Sequence, residues 1–206
     1  MVKDMSRDIR EFSEVGLKER LSALPCRRMV AFSASCAERL LPTYKRYAAK
    51  ASLPEGEREI FGSALDLVWR LVLGEAVGER ELEALEQACL DAIPSEDEAW
   101  ELDEPYAEDS GAAVTFSIRA WRSSDPQEAV WAARRVYEAL DSFVRQSGGG
   151  SDADELTTLS HPLIQRELER QAYDLGQLEQ CSQPLETEVL ETMRKSARLQ
   201  AESVFE

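Results

Sequence analysis

Apolar residues recur every three or four positions almost throughout this chain, and strict alternation of apolar with polar residues is absent. An α-helix brings positions i, i+3, i+4 and i+7 onto one face, whereas a half-buried strand needs a period of two. The pattern therefore restricts the chain to packing helix against helix. The stripe is clear in CRRMVAFSASCAERLL, where Met29, Phe32, Cys36 and Leu40 share a face. It returns in Ile60, Ala64, Leu67, Val68 and Leu71, with Trp69 adjoining, and again in Leu82, Leu85, Cys89 and Ile93.

Prolines punctuate these stripes. Pro25, Pro54 and Pro162 stand where first-turn residues belong, and Asp125-Pro126 reads as an N-cap followed by proline at the first helical position. Pro42 removes a backbone donor and crowds the preceding turn, so it is expected to end or kink its helix, with TYKRYAAKA as a short second piece. PEGEREIFGSALDLVWRLVLGE reads as one helix with Glu55, Glu57 and Glu59 at its positive end. Residues 4–21 form an amphipathic opening segment through Ile9, Phe12, Leu17 and Leu21, and a further helix starts near Tyr106 and reaches Trp121. The expectation is an all-α, compact single-domain bundle of about eight helices over residues 1–206, ending in an antiparallel helical hairpin. Residues 147–160, SGGGSDADELTTLS, are expected to be a flexible loop by their glycine content. A length of 206 residues is enough for one ordinary domain with a real core.

Charge is unevenly placed. The net value is −16. Residues 1–50 carry 11 Lys and Arg against 6 Asp and Glu, residues 51–110 carry 3 against 18, and residues 111–206 carry 10 against 16. Phosphate binding needs a basic face that displaces counterions, so nucleic acid is not an expected partner. The start MVKDMSRDIREF lacks the apolar core of a signal peptide, and no apolar run approaches the roughly 18 residues that span a bilayer. Cys26, Cys36, Cys89 and Cys181 form no C-x-x-C pair and have no secreted-scaffold density. A reduced protein of the cytoplasm, away from membranes, is expected.

Several chemistries fall away by counting. One histidine, His161, cannot supply the zincin, multi-histidine zinc or paired Glu-x-x-His di-iron ligand sets. It precedes Pro162 at a helix start, where capping is its ordinary role. No Walker loop, dinucleotide fingerprint, EF-hand or nucleophile elbow is present, so no cofactor is implied and the balance leans away from an enzyme. Carboxylates remain. Residues 93–111, IPSEDEAWELDEPYAEDSG, hold eight acids and no lysine or arginine. With Pro94 and Pro105 in the stretch, it reads as a solvated interhelical loop whose Glu96, Asp97, Glu98, Glu101, Asp103 and Glu104 form a candidate partner surface. A separate candidate polar cluster comprises Glu38, Asp66, Asp109, Glu167 and Gln171. Asp66 has Arg70 four residues on, the spacing of a helix-surface ion pair, Asp109 stands at a helix start, and Glu167 and Gln171 are four apart within an apolar helix.

Several of these stretches together resemble a known family. RRMVAFSASCAERLLPTYKRYA with Phe32, Glu38, Arg39, Pro42 and Tyr44, LDLVW, AIPSEDE, YAEDSGAA with Asp109, and HPLIQRELERQ with Pro162, Glu167 and Gln171 look like the ordered signature of the YjaG-like bacterial proteins, a domain of unknown function, DUF416. The resemblance implies a compact helical protein and no established activity. Ser110-Gly111 and the glycine-rich SGGGSDADELT depart from the family's smoother pattern.

Three readings stay open. The first is a non-catalytic interaction module, of antidote or immunity type as one form, whose acidic surface docks a basic protein. A carboxylate-based metal-dependent enzyme or small-molecule binder, built from Glu38, Asp66 and Asp109 around an interhelical cavity, is the alternative. The third is a homo-oligomer with Trp100 and Trp121 at the self-interface.

Overall fold

A computed structural model describes residues 9–147, 155–182 and 186–205, and every element among them is helical or a turn. The order is α1 (Glu14–Ser22), α2 (Cys26–Lys50), α3 (Glu55–Arg58), α4 (Ile60–Val72), α5 (Glu79–Ala92), α6 (Glu96–Glu101), α7 (Ala107–Ser123), α8 (Pro126–Ser147), α9 (Glu155–Leu159), α10 (Pro162–Gln180) and α11 (Glu186–Ala201). Eight of these described helices have seven residues or more, and α3, α6 and α9 are single turns. No described helix is long and apolar enough to cross a membrane.

The centre of the fold is α2. Seventeen of its 25 residues are buried, so it is enclosed on all faces rather than along one stripe. Its small residues Ala31, Ser33, Ala34, Ser35 and Ala37 let neighbouring backbones approach, and α7 answers with Ser110, Gly111, Ala113, Thr115 and Ser117. This pair forms the most extensive contact between elements, and α8, α11 and α4 close around the remaining faces of α2. Gly111 is the close point: a Cβ there would stand 2.8 Å from Phe61 Cζ and 3.0 Å from Ile93 Cγ1. Two of the buried hydroxyls in these helices turn back onto their own backbone. Ser33 Oγ donates to Val30 O at 2.9 Å and Ser117 Oγ to Ala113 O at 3.0 Å, so burial leaves neither group unpaired. A second, smaller cluster of Leu67, Leu71 and Leu82 joins α4 to α5, with Trp121 packed at its edge.

The structure corrects several sequence expectations. Pro42 neither ends nor divides its helix; α2 runs through it to Lys50. Packing on every side holds the helix where an isolated segment would break. The segment after Pro54 divides at Glu59 into α3 and α4. Residues 9–12 lie outside α1 and Ile9 is exposed, while residues 4–8 lie outside the described residues. Of the expected loop at 147–160, Ser147 closes α8 and Glu155–Leu159 is helical with Thr158 buried; residues 148–154 lie outside the described residues. In the closing pair, α10 and α11 touch each other lightly, and α11 seats mainly on α2. Asp125 and His161 do cap as their prolines implied: Asp125 Oδ1 accepts from Gln127 N at 2.9 Å and His161 Nδ1 from Leu163 N at 3.3 Å. All four cysteines are free.

Candidate functional site

The five polar residues of the candidate cluster fall into three separate sets, each organised by arginines from distant parts of the chain. Glu38 on α2 and Asp66 on α4 come together beneath α11. Arg198 donates from Nε to Glu38 Oε1 at 3.2 Å and from Nη2 to Asp66 Oδ1 at 2.6 Å, while Arg194 also bonds Asp66 and lays its guanidinium 5.9 Å from the Trp69 ring centroid. Burial pushes the Glu38 carboxyl above the usual range, with the two arginines pulling against it. Glu38, Asp66 and Arg198 border a cleft of about 420 Å³ that also meets Lys45, Glu59 and Ser63. The anticipated Asp66–Arg70 pair does not form: Arg70 bonds Glu75 at 2.7 Å instead.

Asp109 belongs to a different set. It lies in the first turn of α7, where Arg135 of α8 donates to it at 3.2 Å. Burial raises its carboxyl to about 6, with Arg135 pulling the other way. It does not join Glu38 and Asp66. Among the described residues, no three His, Cys, Asp or Glu side chains converge in a way that could hold a metal ion.

Glu167 and Gln171 form the third set, in the core. Arg39, wholly buried, donates to Glu167 Oε1 from Nε at 3.2 Å and Nη2 at 2.9 Å, and from Nη1 to Asp174 Oδ2 at 3.0 Å. Ser35 Oγ donates to the same Asp174 oxygen at 2.6 Å and accepts from Arg39 Nη1 at 3.1 Å. Gln171 Nε2 donates to Glu167 Oε1 at 2.9 Å and to Ala133 O at 3.2 Å. Two carboxylates beside it hold the Arg39 guanidinium above its ordinary range despite burial. Burial pushes the Cys36 thiol up, so a thiolate nucleophile is not what this site offers. Sequence reasoning did not single out Arg39 or Asp174 as site residues. A signal existed, since Glu167, Gln171 and Asp174 stand at i, i+4 and i+7, a polar row on a face that burial should make apolar.

The acidic stretch is more structured than a solvated loop. Its middle is α6, opened by a capping box in which Ser95 Oγ accepts from Glu98 N at 3.3 Å and Glu98 Oε2 accepts from Ser95 N at 2.9 Å. That bond to Ser95 holds the Glu98 carboxyl below its usual range. Glu104 turns inward, 6% exposed, and pairs with Arg46 and Lys50, each at 3.0 Å. It therefore does not belong to an open partner surface. The side chains of Glu96, Asp97, Glu101 and Asp103 remain exposed and have no cation partner among the described residues. Between them stands Trp100, 48% exposed, on a helix whose Ala99 is fully buried. Trp121, the other candidate interface aromatic, is half-buried against the α4–α5 cluster instead.

Residues 16–204 match the family model described as a protein of unknown function, DUF416. The chain belongs to the DUF416 family. The match bears out the DUF416 resemblance read from the sequence; the YjaG-like name is not part of it. The crystal structure of a DUF416 family protein from Shewanella baltica OS155 has the same fold, with a TM-score of 0.73 at 18% identity, over 88% of this chain and 93% of that one. No curated protein matches this chain.

Proposed function

We propose that this DUF416 protein is a cytoplasmic, non-catalytic docking protein that receives a basic protein segment on the face around α6. The observation that carries the reading is Trp100, exposed on a capped helix and flanked by Glu96, Asp97, Glu101 and Asp103, none of which has a cation partner among the described residues. An indole face beside free carboxylates suits a lysine or arginine side chain, which gains cation–π contact and ion pairing together. The helix is anchored by Ala99 below it and by the Ser95–Glu98 box at its start, so little conformational freedom is lost on binding. Lys50 Nζ, bonded to Leu102 O at 2.9 Å and Asp103 O at 3.0 Å, fixes the turn that follows. Long-range attraction from the acidic middle third would speed encounter with a basic partner and weaken with salt.

The test compares three proteins of verified helicity: wild type, Trp100→Ala, and a fourfold variant with Glu96→Gln, Asp97→Asn, Glu101→Gln and Asp103→Asn. Binding of a lysine- and arginine-rich peptide is measured by calorimetry at low and physiological salt. Tighter binding by wild type than by either variant, by about tenfold, is the expected result. Equal affinity in all three sinks the reading, and sedimentation showing a Trp100-dependent dimer replaces it with self-association.

A further inference from the structure

We propose that the groove between α10 and α11 is a binding site for a small ligand with a primary ammonium group on an apolar body, seated on Asp174. The groove has a volume of about 330 Å³, within the range of small-molecule sites. Its walls are Tyr173, Val189 and Thr192, with Gln177 and Glu188 polar at its edge. Asp174 and Met193 are each 4% exposed and make its floor.

The chemistry of the floor selects the ligand. Both hydrogen bonds to Asp174, from Ser35 and Arg39, go to Oδ2. Oδ1 receives none from any described residue, yet it is not a sealed orphan: the side chain keeps 6% exposure and borders the groove. A nearly buried carboxylate oxygen with no donor of its own, beside Val189 and Met193, is a strong acceptor, and a donor bearing positive charge satisfies it best. Arg39 already shares its charge between Glu167 and Asp174. Arg170 feels both carboxylates electrostatically but hydrogen-bonds neither. An ammonium at Oδ1 would supply the missing donor. A guanidinium is bulkier and forked, and its second arm would face Met193 and the apolar wall, so the compact ammonium fits better. Val189, Met193 and the Tyr173 ring then cover the ligand's apolar part, with Tyr173 and Met193 also tolerant of a nearby cation.

The test uses the full chain at about 0.3 M salt, where exposed carboxylates are screened. Titrations followed by calorimetry compare n-hexylamine and 2-phenylethylamine with hexan-1-ol and 2-phenylethanol, which match their shapes without the charge. Each amine is expected to bind at least tenfold tighter than its alcohol. Thr192→Trp, which fills the groove without touching the Arg39 network, is expected to abolish amine binding. Asp174→Asn is expected to erase the preference of amine over alcohol where the variant folds. The proposal is overturned if amine and alcohol bind alike to wild type, or if Thr192→Trp binds the amines as wild type does. Trp100 and α6 play no part in this groove, so the outcome is independent of the docking face.

Discussion

Arg39 is the residue on which the interior turns. It holds Glu167 and Asp174 in the core, and truncating it leaves both carboxylates without their main donor. Arg39→Met is expected to destabilise the protein by about 3–5 kcal/mol in denaturant titrations. Glu167→Gln together with Asp174→Asn in the same background should recover part of the loss, because the stranded charges are then gone. Asp109 makes a second prediction, in pH. Its carboxyl is raised from 3.8 to about 6, so the folded state binds the proton more tightly than the unfolded chain does. Its contribution is therefore fully present below the unfolded value and is lost as pH rises towards 6. Asp109→Asn removes that dependence. The stability of Asp109→Asn relative to wild type should rise by on the order of 2–3 kcal/mol between pH 4 and pH 7, measured by urea unfolding at each pH.

At the scale of the elements, close approach and capping are the levers. The crossing of α7 over α4 depends on Gly111, whose hydrogen faces Phe61 where a methyl would stand 2.8 Å from the ring. Gly111→Ala should cost about 1–3 kcal/mol by overpacking, despite alanine's better helix propensity. Equal or greater stability in thermal unfolding would show that Phe61 moves aside freely. α6 is only six residues long and relies on its cap. Ser95→Ala should cost about 1 kcal/mol and raise amide exchange in Glu98 to Glu101 before any other helix is affected. Pro42 shows the converse: an element can survive a residue that breaks isolated helices when tertiary packing encloses it. On α11, which buries Leu190, Met193 and Ala197, Arg194 and Arg198 stand one turn apart and both reach Asp66 on α4 and Glu38 on α2.

For the whole molecule, the −16 charge acts as self-repulsion, concentrated in residues 51–110. Raising salt from about 10 mM to about 150 mM should raise the melting temperature in calorimetry, because screening relieves like-charge repulsion that the internal ion pairs do not offset. A fall in melting temperature would mean that the ion pairs around Arg39, Arg46 and Arg198 outweigh it. The sequence by itself determined the helical class, the proline-marked helix starts near 25, 54, 126 and 162, the caps at Asp125 and His161 and the acidic bias of the middle third. Each of these depends on neighbours within about four residues, which is the reach of a helix's own geometry. Only the tertiary structure decided which carboxylates stay free. Glu104 is claimed by Arg46 and Lys50, Glu38 by Arg198, and Glu167 and Asp174 by Arg39, all from more than 50 residues away. No local spacing encodes such partners. A carboxylate's role is set by which cation the fold carries to it, and that depends on how α2, α7, α8 and α11 pack together.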